Sequence, residues 1–468
     1  MRRVAFAACA VSIGLVWGCG SPTGTTPGGT GGAQTGGTGT STGGTPGSGG
    51  SSTGGQPATG GGSGGSSTGG GSGGSSTGGR GGTGGVAGAA TGGRGGTAGQ
   101  VGAGGHAGGA GHTGTGGVAG SGAAGGGSCT VAPGAQVGKL TDPVTTSDIS
   151  PPDPPGITFM DTDGKAVNAH GGGVIKVCDT FYLHGEYFLS TTTDNNFNGF
   201  SMYSSKDLAT WKNEGIILPQ QPSGQLGPNR KGERPHIIRC PATGEYVLYA
   251  HSADVTYQAD KEVVYATSPT VNGQYAFQGS LTDSKGNIAA HSDMSALSDG
   301  DSAYVVTESG WVYTLSSDCH SWVSAKSYSA VNGTTGGIEA PTVFKAGSTY
   351  YWLGSDKTGW RANDDFYSTA PAMNGPWTYQ GYLAPQGKLT WMTQSTWVIP
   401  VVGSQSTTYV YWGDHWYGNQ DTTNPGKHNN LTTYVFQPLV FTGTQIGLPT
   451  YQVSWSIDVG AGTWTPNN

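Results

Sequence analysis

Five short segments in the C-terminal part of this 468-residue chain each begin on a polar residue and run into apolar, β-prone sequence. They start at His170, Glu233, Asp293, Glu339 and Gln394, spaced 63, 60, 46 and 55 positions apart. A carboxyl set in apolar surroundings keeps its proton near neutral pH, and one set beside cations stays ionised and can take a proton. Three carboxylates, an amide and an imidazole at equivalent points of a repeat could therefore move protons, or hold a cation, if the fold brings them together. Left apart, they would be no more than a solvated acidic rim. Aiming several carboxylates at one spot is costly by mutual repulsion, so convergence would itself point to chemistry.

The elements that must position these residues are short strands. Phe181-Tyr182-Leu183, Tyr246-Val247-Leu248-Tyr249, Ala303-Tyr304-Val305-Val306, Thr349-Tyr350-Tyr351-Trp352 and Thr408-Tyr409-Val410-Tyr411-Trp412 each follow a polar turn containing Gly. No long segment shows helical periodicity, which predicts an all-β chain. Each segment reads as polar residue, apolar strand, turn, apolar strand. Several continue into an outer pair, Tyr203-Ser204-Ser205 with Trp211 and Tyr367-Ser368 with Trp377. A unit of about four strands repeating near every 50 residues predicts a β-propeller, here with five blades. The innermost strand of each blade runs beside the central axis, so the five starting residues should meet at one mouth of the channel.

Composition divides the chain sharply. Residues 21–127 hold 51 of the 90 glycines, no Phe, Trp, Tyr, Asp or Glu, and only Arg80 and Arg94 as charges. Such a stretch cannot bury enough apolar surface to offset the entropy of ordering, so it reads as a disordered Gly/Ser/Thr-rich linker with a reach of roughly 55–60 Å. Before it, Met1-Arg2-Arg3, an apolar run from Val4 to Trp17 and Gly18-Cys19-Gly20 read as a secretory signal peptide. Leu15–Cys19 is similar to a bacterial lipobox, which would make Cys19 the lipidated first residue; an ordinary signal cut near Gly20 or Ser21 is the alternative. The expected organisation is a signal peptide with lipobox over 1–19, a linker over 20–128 and the propeller over 129–468. Residues 128–468 carry 17 Lys and Arg against 28 Asp and Glu, a net charge of −11, which excludes the phosphate-binding surface of a nucleic-acid protein. Cys129, Cys178, Cys240 and Cys319 fall in an exported domain where disulfides form, and four cysteines allow three pairings. With no CxxC and no Cys/His cluster, no zinc site is expected.

The blade starts and their surroundings resemble glycoside hydrolase family 43, and within it the exo-β-1,3-galactanase branch, subfamily 24. The motifs are Ala169-His170-Gly171-Gly172-Gly173, Gly185-Glu186, Leu226-Gly227-Pro228, Glu233-Arg234-Pro235, Ser292-Asp293-Met294, Glu339-Ala340-Pro341, Thr358-Gly359-Trp360, Gln394-Ser395-Thr396 and Gly413-Asp414 with Trp416. Most members place a base aspartate in the first blade. This chain has His170 and three glycines there, which is similar to the galactanase branch, where a fifth-blade glutamine takes the base's place. The resemblance implies an inverting hydrolase that releases galactose from β-1,3-linked galactan or arabinogalactan side chains.

The roles follow from chemistry and resemblance together. Glu339, set in Ile338-Glu339-Ala340-Pro341, is the expected general acid, and Asp293 would orient it and raise its pKa. Relatives tend to carry Arg before that Asp, where this chain has Ser292. Gln394 would position the attacking water; in the family a glutamine here has been proposed to act as an imidic-acid tautomer. Glu233 would assist as a carboxylate or bind sugar. Glu186, Tyr257 and Thr358 fall where the family's substrate contacts lie, and Trp360, Trp391 and Trp416 are the candidate sugar platforms. No cofactor is required and no metal-ligand motif is present; some members hold a calcium or sodium ion in the channel, so a structural cation there is compatible. The expected partner is a polysaccharide, with no nucleic acid and no membrane contact beyond the Cys19 anchor. The protein is expected to be monomeric and either anchored at a bacterial cell surface or secreted. A carbohydrate-binding propeller without catalysis, and another family 43 activity such as galactosidase or arabinofuranosidase, are the competing readings.

Overall fold

The computed structural model describes the strand Val137–Thr141 and residues 158–467, apart from 191–194, 334–336, 420–422 and 425. The expected signal peptide and linker, and their boundaries at 19 and 128, lie outside the described residues. Four antiparallel sheets of four strands follow in chain order: His170–Pro219, Arg230–Ser280, Met294–Ser327 and Glu339–Tyr382. We number them blades 1 to 4. Blade 5, Gln394–Pro438, has three strands rather than four. The five innermost strands are His170–Val177, Arg230–Arg239, Met294–Asp299, Glu339–Ala346 and Gln394–Val402, and the fifth packs back against the first. This is the five-bladed propeller expected from the repeat.

Both faces of each blade are buried, and strand geometry shows why the strands read as nearly continuous apolar runs. Side chains alternate between faces. Tyr246, Leu248 and Ala250 point into the core between blades 1 and 2, whereas Val247 and Tyr249 point into the core between blades 2 and 3. Five apolar clusters result, one between each pair of neighbours. The cluster between blades 5 and 1 joins Phe181 and Leu183 to Trp412 and Phe436, and takes in Trp455 and Ile457 from the strand Ser454–Asp458. That strand pairs with Val137–Thr141, bringing the two ends of the folded part together at this seam. Of the three pairings open to the cysteines, the structure contains Cys240–Cys319, which links blades 2 and 3.

A local device recurs where four of the five inner strands begin. The ladder slips by a bulge after His170, Glu233, Glu339 and Ser395. In the first three cases the next residue, Gly171, Arg234 or Ala340, has φ of +59°, +53° or +50°. A left-handed bulge residue re-aims the side chain beside it and ends regular pairing. In blades 2 and 4 a proline follows, Pro235 and Pro341, where a ladder N–H is not needed. The Glu-X-Pro motifs are thus bulge signatures that turn Glu233 and Glu339 toward the axis.

Candidate active site

One cavity of about 350 Å³ opens at the mouth formed by these bulges. It is lined from blade 1 by Glu186; from blade 2 by Glu233, Arg234, His251 and Tyr257; from blades 3 and 4 by Asp293, Glu308, Glu339, Lys357 and Trp360; and from blade 5 by Gln394 and Trp416. All four residues expected to carry chemistry, and four of the six expected to touch sugar, therefore converge.

The other two do not. Trp391 belongs to the core between blades 4 and 5, where its indole N–H donates to the Leu448 carbonyl at 3.2 Å, so it cannot serve as a platform. Thr358 lies between two lining residues, but its hydroxyl turns back to the Arg361 carbonyl at 2.6 Å and does not line the cavity.

Glu339 is suited to hold a proton. Burial, reinforced by the negative charge of Asp293, pushes its pKa up to about 8. Its Oε2 is buried without a hydrogen-bond partner. Asp293 accepts the backbone N–H of Ala340 at 2.8 Å, which fixes the bulge that carries Glu339. Arg234 from blade 2 brings its Nε to 3.8 Å from Asp293 Oδ2, so a cation stands beside this aspartate even though Ser292 precedes it. Lys357 adds a second positive charge near the acid and is itself paired with Glu308.

Glu233 sits in the opposite electrostatic setting. Burial pushes its carboxyl up, but His251, the Tyr257 hydroxyl and the Lys231 charge outweigh it and hold the group below the usual range. Tyr257 donates to its Oε1, and His251 Nδ1 stands 3.5 Å from its Oε2. Glu186 is different again: burial and the charge of Glu233 raise its pKa well above normal. Its Oε1 accepts the Arg234 backbone N–H at 3.0 Å, and its Oε2 is buried without a partner. A Cβ placed on Gly171 would fall 2.3 Å from Glu186 Oε1. The volume beside Gly171, where a first-blade side chain would begin, is filled by a carboxyl from the neighbouring strand.

Gln394 is held at both ends of its amide. Its Oε1 accepts from the Arg234 guanidinium and from Trp416 Nε1 at 2.9 Å, while its Nε2 donates to Ser355 Oγ at 2.9 Å. Guanidinium and indole are donors only, so the oxygen end is fixed by chemistry. The segment that delivers Gln394 is strained: Leu389, Thr390, Trp391 and Met392 have φ from +48° to +61°. Left-handed residues with a Cβ cost ~1–2 kcal/mol each. Asp364 caps the Leu389 N–H at 2.7 Å and Asn419 holds the Met392 carbonyl at 3.0 Å. The buried Asp365 accepts the Ser395 N–H at 2.8 Å just beyond. This is where Trp391 acts, as a strut under a strained turn.

Trp360 and Trp416 meet edge to face, ring centroids 4.6 Å apart. Gly426 leaves room for Trp360, since a Cβ there would lie 2.4 Å from its ring. As for cations, one oxygen each from Glu233 and Asp293 and a ring nitrogen of His251 lie within 4.8 Å of one another, the one such group of donors among the described residues. The residues that sequence reasoning missed are Arg234, His251, Lys357 and Glu308. The Glu233-Arg234-Pro235 motif flagged the first by position only; nothing local marks the others, because they belong to second strands and loops.

Residues 178–313 match the family model for glycosyl hydrolases family 43. A Bifidobacterium bifidum protein assigned as an exo-β-1,3-galactanase is 30% identical, with 63% of this chain and 95% of that one covered and a TM-score of 0.55. The chain belongs to glycosyl hydrolase family 43. Two further family 43 structures are similar. The exo-β-1,3-galactanase of Clostridium thermocellum shows 29% identity, covering 67% of this chain and 68% of that one, with a TM-score of 0.58. That of Phanerochaete chrysosporium, solved with galactose, shows 25% identity, covering 70% and 71%, also at 0.58. No curated protein matches the chain significantly in sequence.

Proposed function

We propose that this family 43 glycosidase is an inverting, exo-acting β-1,3-galactanase that releases galactose from galactan and arabinogalactan side chains. The observation that carries the reading is Glu339, a carboxyl kept protonated to about pH 8 inside a sugar-sized cavity. The same cavity holds Glu233, a carboxyl shifted the opposite way, and two carboxyls with pKa values pushed apart are what acid–base chemistry needs. The family members it is similar to act on the same bond: the Phanerochaete chrysosporium enzyme was solved with galactose and, as a Glu-to-Gln variant, with β-1,3-galactotriose.

Glu339 donates its proton to the glycosidic oxygen as the C–O bond breaks and the electron pair leaves with that oxygen. Water attacks the anomeric carbon from the opposite face. Gln394 orients that water, and Glu233, the carboxylate held ionised, takes its proton. Asp293 fixes the acid and keeps its pKa high. Glu186, Tyr257, Trp360 and Trp416 hold the terminal sugar. Incubation with β-1,3-galactan should yield free galactose, with the α-anomer first in proton NMR; β-galactose first, or no galactose, would overturn the reading.

We also propose that the mature chain begins at lipidated Cys19 and that the Gly-rich segment tethers the enzyme to the cell surface. Its support is the sequence pattern alone. Cys19→Ala should move activity from the membrane fraction to the soluble fraction, and unchanged membrane association would count against the anchor.

A further inference from the structure

Arg234 is the most heavily engaged side chain of the cavity, and neither the family's acid nor its water-holding glutamine accounts for it. Its Nη1 donates to the Ser395 carbonyl at 3.1 Å and its Nη2 to Gln394 Oε1; its Nε lies 3.8 Å from Asp293 Oδ2, and its guanidinium lies 5.9 Å from the Trp416 ring centre. The side chain is 6% exposed, and its backbone is held left-handed at φ +53° by the bulge. A buried guanidinium at a strained backbone position persists only where its surroundings specify it.

We propose that Arg234 is a positioning residue for water attack, and that it acts through Gln394. Resting on the glycosidase reading above, the argument has two steps. The first is orientation. Both partners of Gln394 Oε1 are obligate donors, and Ser355 Oγ takes the opposite end, so the amide cannot flip. A hydroxyl at Oε1, as an imidic-acid form needs, would face two N–H groups and find no acceptor. Gln394 is held as a carboxamide, and it meets water through its nitrogen. The second step is polarisation. A fixed cation on the oxygen draws density from nitrogen to oxygen and strengthens each remaining N–H as a donor, more so in a buried site than in water. Arg234 thus ties the water-holding group of blade 5 to Asp293, which fixes the acid of blade 4.

The test uses Arg234→Lys, Gln394→Ala and the double variant, with β-1,3-galactobiose as substrate. Removing a preorganised donor from an active site lowers kcat by about 10²–10³-fold, and Arg234→Lys should fall in that range with KM changed less than about threefold. The double variant should be no slower than Gln394→Ala alone. Azide, an anionic nucleophile that has no proton to surrender, should restore turnover in both single variants and form α-galactosyl azide. Losses that multiply in the double variant, or a raised KM with kcat intact, would overturn the proposal. If Arg234→Lys does not fold by thermal unfolding, Ser355→Ala poses the same question from the nitrogen end: its effect should vanish in the Gln394→Ala background. Wild-type turnover is read in parallel, so failure of the glycosidase reading shows separately.

Discussion

Glu339→Gln is expected to cut galactose release from β-1,3-galactobiose by about 10²–10⁴-fold, the usual worth of a general acid. The amide keeps the shape and can still donate a hydrogen bond, but it cannot give up a proton. The loss should shrink to within about tenfold on 2,4-dinitrophenyl β-galactoside, whose leaving group needs no protonation. Equal losses on both substrates would mean that Glu339 binds sugar instead. The pH profile carries the same assignment with a definite sign. Glu339 is active when protonated, and burial with Asp293 sets its pKa at about 8, so kcat/KM should fall as pH rises through about 8. Glu233 must be ionised and lies below the usual carboxylate range, so the acid limb should come at low pH. Replacing Asp293 with Asn should move the alkaline limb downward, because it removes the second cause of the shift.

The largest stability effect should come from Gly172→Ala. A Cβ at Gly172 would lie 1.8 Å from the His184 carbonyl oxygen and 2.7 Å from the Gly185 Cα. Both are backbone atoms of the paired strand and cannot swing away. Gly185 shows the reciprocal problem, with Ala169 C at 2.3 Å. The two strands approach closely at the bulge between His170 and Gly173, and only glycine permits it. Overpacking and backbone displacement should cost about 3 kcal/mol or more. For a domain of this size that is a fall in Tm of roughly 4–5 °C. Gly347→Ala is the control: its φ is +59° with open space around it, so it should cost about 1 kcal/mol. Equal shifts in the two variants would show that close approach is not the reason for the glycine.

These glycines show how far residue types alone can take the argument. Their place told that the innermost strand of the first blade carries no carboxylate, and His170–Val177 has none. They could not tell that Glu186, from the second strand of the same blade, puts its carboxyl into that volume. The aromatic residues show the same limit. Trp360, Trp391 and Trp416 are equal candidates by type, yet the left-handed turn before Gln394 sends Trp391 into the core. Four consecutive non-glycine residues at positive φ leave no local mark, because propensity argues against that conformation.

The sequence by itself determined the repeat, the number of blades, the convergence of four of the five blade starts (His170, the fifth, stacks on Tyr434 outside the cavity) and the pairing of an apolar setting with Glu339. These follow from strand period and turn chemistry, which are local. Only the tertiary structure decided which way each carboxyl is shifted. Glu186, Glu233 and Glu339 share one cavity, yet the pKa values of Glu186 and Glu339 are raised and that of Glu233 is lowered. The physical reason is that burial acts on all three, while the polar groups that answer it come from other strands and other blades: His251 and Tyr257 for Glu233, and Arg234 bridging Asp293 to Gln394.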